Sequence, residues 1–348
     1  MNITKQDILS LTPLQMQEVI KAANQPQYRA KQTWGWLHKN HVQNFDDMAN
    51  IPKLLRQELD AKFHIATVNA RKKLISSNDG TKKYLFALHD GTLIESVLME
   101  YHHGNTVCIS TQVGCKMGCV FCASAEGGFV RNLTAGEMCA QVYAAQQDCT
   151  RVSGVVLMGC GEPLDNFDET VRFLELITHE DGVNIGQRHI TLSTCGLVPQ
   201  ILQLAQHKLQ ITLAISLHGA TDTVRQSLMP IAKSYPLAEL ISACKTYVKN
   251  TGRRITFEYA LANGENDSIS HAKDLVKLLR GINCHVNLIP VNKGRGEYVG
   301  TSSKDAAGFA KVLQDAKMQV TVRRSLGSDV NAACGQLRAQ ESGHCFGI

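Results

Sequence analysis

From residue 134 to residue 323 the sequence alternates short apolar runs with longer amphipathic ones. No other feature constrains the fold as strongly. Apolar, β-branched runs fall at residues 154–158, 189–194, 211–217, 254–261, 285–289 and 319–323. Helical periodicity fills intervals such as 168–177, 237–249, 270–280 and 304–317. Thr134-Ala135-Gly136-Glu137 is a capping box, opening a first helix that reaches to about residue 147. Repeated βα units require parallel strands joined by right-handed crossovers. The predicted fold is therefore α/β, a partial (βα)6 barrel with its site at the C-terminal ends of the strands.

The residues just past each predicted strand should then line that site. They are Gly159-Cys160-Gly161-Glu162-Pro163, Ser193-Thr194-Cys195-Gly196, Ser216-Leu217-His218 and Pro290-Val291-Asn292. Past the first strand, which carries Cys108, comes Gly114-Cys115-Lys116-Met117-Gly118-Cys119-Val120-Phe121-Cys122. Three cysteines spaced C-x3-C-x2-C give three thiolates from one tight loop. A four-iron cubane takes four ligands, so one iron would be left open to bind substrate. A structural zinc site would need paired C-x2-C units, and no second one occurs. A disulfide framework belongs to small secreted chains.

A chain of 348 residues can bury a large core and hold a second, smaller domain. The N-terminus lacks a basic stretch followed by an apolar run, and no apolar run is long enough to span a bilayer. Twelve cysteines without a secretion signal point to a reducing cytoplasm. The net charge of +5 is uneven, because residues 1–75 hold 11 Lys/Arg against 6 Asp/Glu. Short helices are predicted there at residues 7–11, 12–23, 28–41, 44–48 and 52–62, with Thr12 as N-cap before Pro13. Trp34, Trp36, Arg29, Lys31, Lys39, Lys53 and Arg56 read either as a small helical core with a solvated basic face or as an RNA-docking module.

Residues 71–111 change to strands broken by the hairpin signals Asn78-Asp79-Gly80 and Asp90-Gly91. Alternation over residues 93–100 puts Glu95 in one row with Leu93, Val97 and Met99. A carboxylate in an apolar row sits at a sheet edge or in a site that handles protons. Cys108 and Cys334 could both reach the barrel site if the C-terminal tail folds back. A lone cysteine is, however, more often a small buried hydrophobe.

The cysteine spacing is similar to that of the radical S-adenosylmethionine (SAM) superfamily. The whole chain resembles the RlmN/Cfr family of radical SAM RNA adenosine methyltransferases. The resembling stretches include Tyr28-Arg29-Ala30-Lys31-Gln32, Ile94-Glu95-Ser96-Val97, Cys115 to Cys122, Gly161-Glu162-Pro163-Leu164, Ser216-Leu217-His218, Phe257-Glu258-Tyr259 and Ala332-Ala333-Cys334-Gly335-Gln336-Leu337. The resemblance implies that Cys115, Cys119 and Cys122 hold a 4Fe-4S cluster. It also implies that Gly161, Glu162, Ser193, Ser216, Leu217, His218 and Asn292 bind SAM, two molecules of which are used per turnover. It further implies methylation of Cys334, radical transfer of that methyl to adenine, proton removal by Glu95 and resolution by Cys108 through a transient disulfide with Cys334.

The resemblance divides the chain into a helical RNA-docking domain at 1–70, a β-hairpin extension at 71–105 and a barrel with a catalytic-cysteine loop at 106–348. Expected partners are 23S rRNA, tRNA and a low-potential electron donor such as flavodoxin, with no membrane. Gly161-Glu162-Pro163-Leu164 leans toward methylation of adenine C2, with Cfr-type methylation at C8 as the alternative. A redox or iron–sulfur RNA-binding protein would have no need of Cys108, Cys334 or Glu95, and a radical SAM enzyme of another substrate would need no methylatable cysteine. Cys139, Cys149, Cys160, Cys195, Cys244, Cys284 and Cys345 receive no role, although Cys160 reads as a buried structural thiol.

Overall fold

The computed structural model describes residues 5–102, 104–125, 127–290, 300–323 and 326–330. Ten strands form one sheet: β1 (Asn69–Ile75), β2 (Lys82–Ala87), β3 (Leu93–Tyr101), β4 (Gly104–Cys108), β5 (Val152–Leu157), β6 (Ile190–Thr194), β7 (Thr212–Ser216), β8 (Ile255–Leu261), β9 (Cys284–Pro290) and β10 (Gln319–Val322). They lie side by side in chain order. Pairing is antiparallel from β1 to β4 and parallel from β4 to β10. In this order β1 and β10 are the edges and do not pair with each other, so the barrel is partial.

Helices α1 (Pro13–Ala22), α2 (Tyr28–His38) and α3 (Lys53–Lys62) precede the sheet. The crossovers carry α4 (Ala135–Gln146), α5 (Phe167–Thr178), α6 (Val198–Gln206), α7 (Asp222–Leu228), α8 (Leu237–Thr251), α9 (Ile269–Leu279) and α10 (Ser303–Asp315). Six crossovers thus join the seven parallel strands, as the alternation of the sequence predicts. The apolar faces of α5 (Phe173, Leu174, Ile177) and α8 (Leu240, Cys244, Tyr247) are buried. The runs Leu213-Ala214-Ile215 in β7 and Phe257 and Tyr259 in β8 are fully buried, as expected of parallel strands covered on both faces.

Residues 69–101 differ from a free-standing hairpin, because β3 pairs with β4 and so extends the barrel sheet. Both faces of β3 are covered. Ile94, Ser96 and Leu98 are as buried as Glu95 and Val97, with Ser96 Oγ donating to Gln141 Oε1 of α4 at 2.8 Å. An interior strand under a helix has no solvent face, which is why simple alternation described it incompletely.

The N-terminal helices are pinned to the barrel through buried polar groups. Thr12 and Gln15 form a capping box at α1, and Thr134 and Glu137 form the predicted one at α4. Asp7 accepts from Leu9 N (3.0 Å), Ser10 Oγ (2.7 Å) and Thr134 Oγ1 (2.9 Å), while burial raises its pKa. Trp34 is buried and stacks on His38 at 4.0 Å, and His38 Nδ1 lies 2.9 Å from Tyr143 Oη of α4. Trp34 is therefore a core residue rather than an exposed RNA contact. Lys31 is paired with Asp181 at 2.9 Å. Among the described residues no helix is long and apolar enough to cross a membrane.

Candidate active site

A cavity of about 340 Å³ opens at the C-terminal ends of the parallel strands. Cys115, Cys119 and Cys122 line one side, and Gly161, Glu162, Ser193, Ser216, His218 and Glu258 line the others. The cysteine loop is tied at its neck by a short antiparallel pair, Gln112–Gly114 with Phe129–Asn132. At that neck a Cβ on Gly114 (φ +81°) would lie 1.8 Å from Gly128 O, so only glycine closes the loop. Gln112 keys the loop to the β5 end: its Oε1 accepts from Glu162 N at 2.9 Å and its Nε2 donates to Asp165 Oδ2 at 2.8 Å. Gly161 (φ +109°) makes this contact possible, since a Cβ there would come within 2.8 Å of Gln112 N.

Electrostatics in the cavity follow from burial. It pushes the Cys115 and Cys119 thiols up to about 12, so without metal they stay protonated. Ionisation must then accompany metal binding. Among the described residues no three His, Cys, Asp or Glu side chains converge on a single ion site. A cubane instead spreads its thiolates over different irons, which suits this donor set. Burial raises the Glu162 pKa, while N–H donors from Cys195 (2.7 Å) and Leu164 (3.0 Å) oppose it. Both Glu162 oxygens are thus held in place, each with lone-pair capacity left for a ligand.

Glu258 Oε2 accepts from Asn287 Nδ2 at 2.9 Å, and burial raises its pKa as well. His218 is pushed down to about 3 by burial and by Arg225, and is therefore neutral. Its Nδ1 accepts from Ala260 N at 3.0 Å, which leaves the proton on Nε2. Its ring meets Phe121 edge-on at 4.9 Å, joining the β7 end to the cysteine loop. Leu217 is fully buried and contributes only backbone, its N–H donating to Glu258 O at 3.0 Å.

A second patch adjoins the cavity. Cys108 sits opposite Val97 in the β3–β4 ladder, and Glu95 is two residues along β3 on the same face. Val97, Met99 and Cys108 form a buried apolar cluster with Val156, Met158 and Leu326. Met158 also lines the cavity. Glu95 is buried and paired with the fully buried Lys83 at 3.1 Å. The chain beyond β10 is strapped across the β1–β2 turn: Gly327 N donates to Asp79 Oδ2 at 2.7 Å, and Ser76 Oγ donates to Asp329 Oδ1 at 2.7 Å. These bonds deliver Leu326 to the cluster of Val97, Met99 and Cys108. The predicted Cys334 and Asn292 lie outside the described residues.

Residues 109–279 match the model of the radical SAM superfamily, and residues 6–65 match that of the ribosomal RNA large subunit methyltransferase N-terminal domain. The chain is 52% identical over 334 residues to a "Probable dual-specificity RNA methyltransferase RlmN" of Clostridium novyi, covering 95% of this chain and 97% of the relative. A relative of the same name from Bacillus mycoides is 50% identical over 342 residues, covering 97% and 94%. The chain belongs to the RlmN family. It is a radical SAM RNA methyltransferase, and the family implies a 4Fe-4S cluster and SAM. The crystal structure of a radical SAM methyltransferase from Sphaerobacter thermophilus is also similar, with a TM-score of 0.91 and 43% identity over 96% of this chain and 99% of that one.

Several groups at the site escaped the reading of the sequence. Gln112, the Cys195 N–H, Lys83 and Arg225 all act through contacts distant along the chain. Glu258 stands in the stretch Phe257-Glu258-Tyr259 but received no role, because its strand, residues 254–261, is the one whose end was not assigned to the site. Cys160 is buried, as expected of a structural thiol.

Proposed function

We propose that this protein methylates C2 of an adenosine in 23S rRNA, and of the tRNA adenosine beside the anticodon, through a methyl group carried on Cys334. Cys115, Cys119 and Cys122 would hold the cluster, which when bound supplies the electron that cleaves SAM to a 5′-deoxyadenosyl radical. Glu162, whose oxygens are held by backbone N–H groups, and Glu258 offer acceptors to the cationic groups of SAM. Gly161, Ser193, Ser216, Leu217, His218 and Asn292 would complete that site.

In the same reading the Cys334 thiol takes a methyl from a first SAM by polar displacement. After a second SAM has been spent on hydrogen abstraction, that methyl carbon bonds to adenine C2. Glu95 accepts the ring proton, and the one electron lost by the radical adduct would return to the cluster. Cys108 then attacks the Cys334 sulfur, breaking its bond to the transferred carbon, which takes up a proton to become the methyl group as the Cys108–Cys334 disulfide forms. The observation that carries the reading is the adjacency of the Cys108–Glu95 patch to the cysteine-lined cavity, with Leu326 packed on the cluster of Val97, Met99 and Cys108. Residues 1–70 would dock the RNA, and a low-potential donor such as flavodoxin would supply electrons in a reducing cytoplasm.

Cys334→Ala tests this directly. Methylation of a 23S rRNA fragment should fall at least a thousandfold while iron and sulfide content stay at the wild-type level. Methylation at more than a tenth of the wild-type rate would contradict the relay.

A further inference from the structure

Arg225, on α7, is the largest fully buried side chain among the described residues. An arginine on a seven-residue surface-type helix would ordinarily face water. Here the chain reversal at Gly219 holds α7 against the cavity wall, where a Cβ on Gly219 would lie 2.7 Å from Arg225 N. Among the described residues the guanidinium makes one hydrogen bond, from Nη2 to Cys195 O at 2.6 Å. Its Nε and Nη1 are buried and find no partner there. Asp222 of the same helix also acts on its charge, but from an exposed position, and a buried guanidinium hydrogen-bonded only to a carbonyl is costly unless a counter-charge is close.

The neighbours show where that counter-charge belongs. The C-terminal end of α7 is hydrogen-bonded to the cysteine loop, Val120 N donating to Leu228 O at 3.1 Å, and Met229 lines the cavity. Arg225 and Cys119 lie close enough to act on each other's charge, and Cys195 stands between Arg225 and Glu162. A cubane of charge +2 bound by three thiolates carries a net charge of −1, which becomes −2 on one-electron reduction. A fixed positive charge behind one thiolate stabilises the second state more than the first, and net charge is a lever on cluster potential.

We propose that Arg225 is the buried counter-charge of the cluster, a positioning residue that acts through Cys119 to ease the entry of one electron from a low-potential donor. This rests on the reading that Cys115, Cys119 and Cys122 hold that cluster. No bond is made or broken in the step.

The test is an anaerobic redox titration, followed by electron paramagnetic resonance, of cluster-loaded wild type, Arg225→Met and Arg225→Lys. Arg225→Met should make reduction at least tenfold less favourable, a midpoint 59 mV more negative for a one-electron couple. Arg225→Lys, which keeps the charge, should stay nearer to wild type. An Arg225→Met protein that loads fully and titrates at the wild-type midpoint would overturn the proposal. If Arg225→Met fails to load and Arg225→Lys loads, the need for a cation is upheld. Failure of both to load would overturn the proposal, since a site that rejects a second cation is selecting shape. A wild-type protein that takes up no iron would instead sink the cluster reading itself, a distinguishable result.

Discussion

Lys83 and Arg225 are both fully buried cations, and the fold treats them differently. Lys83, on β2, meets Glu95 of β3 at 3.1 Å, so its counter-charge is a side chain of the same sheet. Arg225 meets the carbonyl of Cys195 and leaves Nε and Nη1 without a partner among the described residues. The first is an ion pair beside Cys108, in the patch read as the methyl-transfer side. The second lies behind the cysteine loop. The difference suggests that one cation is answered by a carboxylate of the fold, whereas the other is placed for a negatively charged guest.

The largest effect that sharpens this contrast is expected at Lys83. Lys83→Met should leave Glu95 as a buried carboxylate without its lysine and destabilise the metal-free protein by about 3–5 kcal/mol in chemical denaturation. The double variant Lys83→Met/Glu95→Leu should recover most of that loss. A cost below about 1 kcal/mol for the single variant would break the comparison.

A third buried group shows burial answered by neutrality. Burial, with His41 and His179 adding to it, pushes His38 down to about 3. Its folded pKa lies below the unfolded value of about 6.5, so the unfolded chain takes the proton first. Stability from this residue is complete above that pH and declines as pH falls toward 3, by up to about 1.4 kcal/mol per unit. His38→Gln should flatten the pH dependence of unfolding by about that slope, and an unchanged slope would show that His38 is not held neutral.

The smallest effect is expected at Arg225 in the metal-free protein. Arg225→Met should change stability by no more than about 1 kcal/mol, because the lost bond to Cys195 is offset by relief of an unpaired buried charge. A loss as large as that at Lys83 would show that both cations are structural.

Much of this was legible from local pattern. The N-cap at Thr12, the capping box at Thr134, the strand–helix alternation and the turns at residues 78–80 and 90–91 depend on residues a few positions apart. So does the collection of Ser193, Ser216 and His218 at one end of the barrel, once parallel strands are granted. What stayed hidden depends on register and long-range approach. Lys83 and Glu95 are diagonal neighbours across β2 and β3, a relation fixed by which residues pair. Asp7 reaches Thr134 across 127 positions, and Arg225 reaches Cys195 only because α7 folds back on the cavity wall. The junction of β3 with β4, which makes residues 69–101 part of the barrel sheet, is likewise invisible to periodicity.

The central claim is a methyl group carried by the enzyme itself. Peptide mass spectrometry on anaerobic, cluster-loaded, SAM-treated protein reads it directly, because the tryptic peptide from Ser325 to Arg338 holds Cys334 as its single cysteine. The account predicts one added methyl on that thiol, absent when SAM is withheld. An unmodified Cys334 in protein with an intact cluster would contradict it.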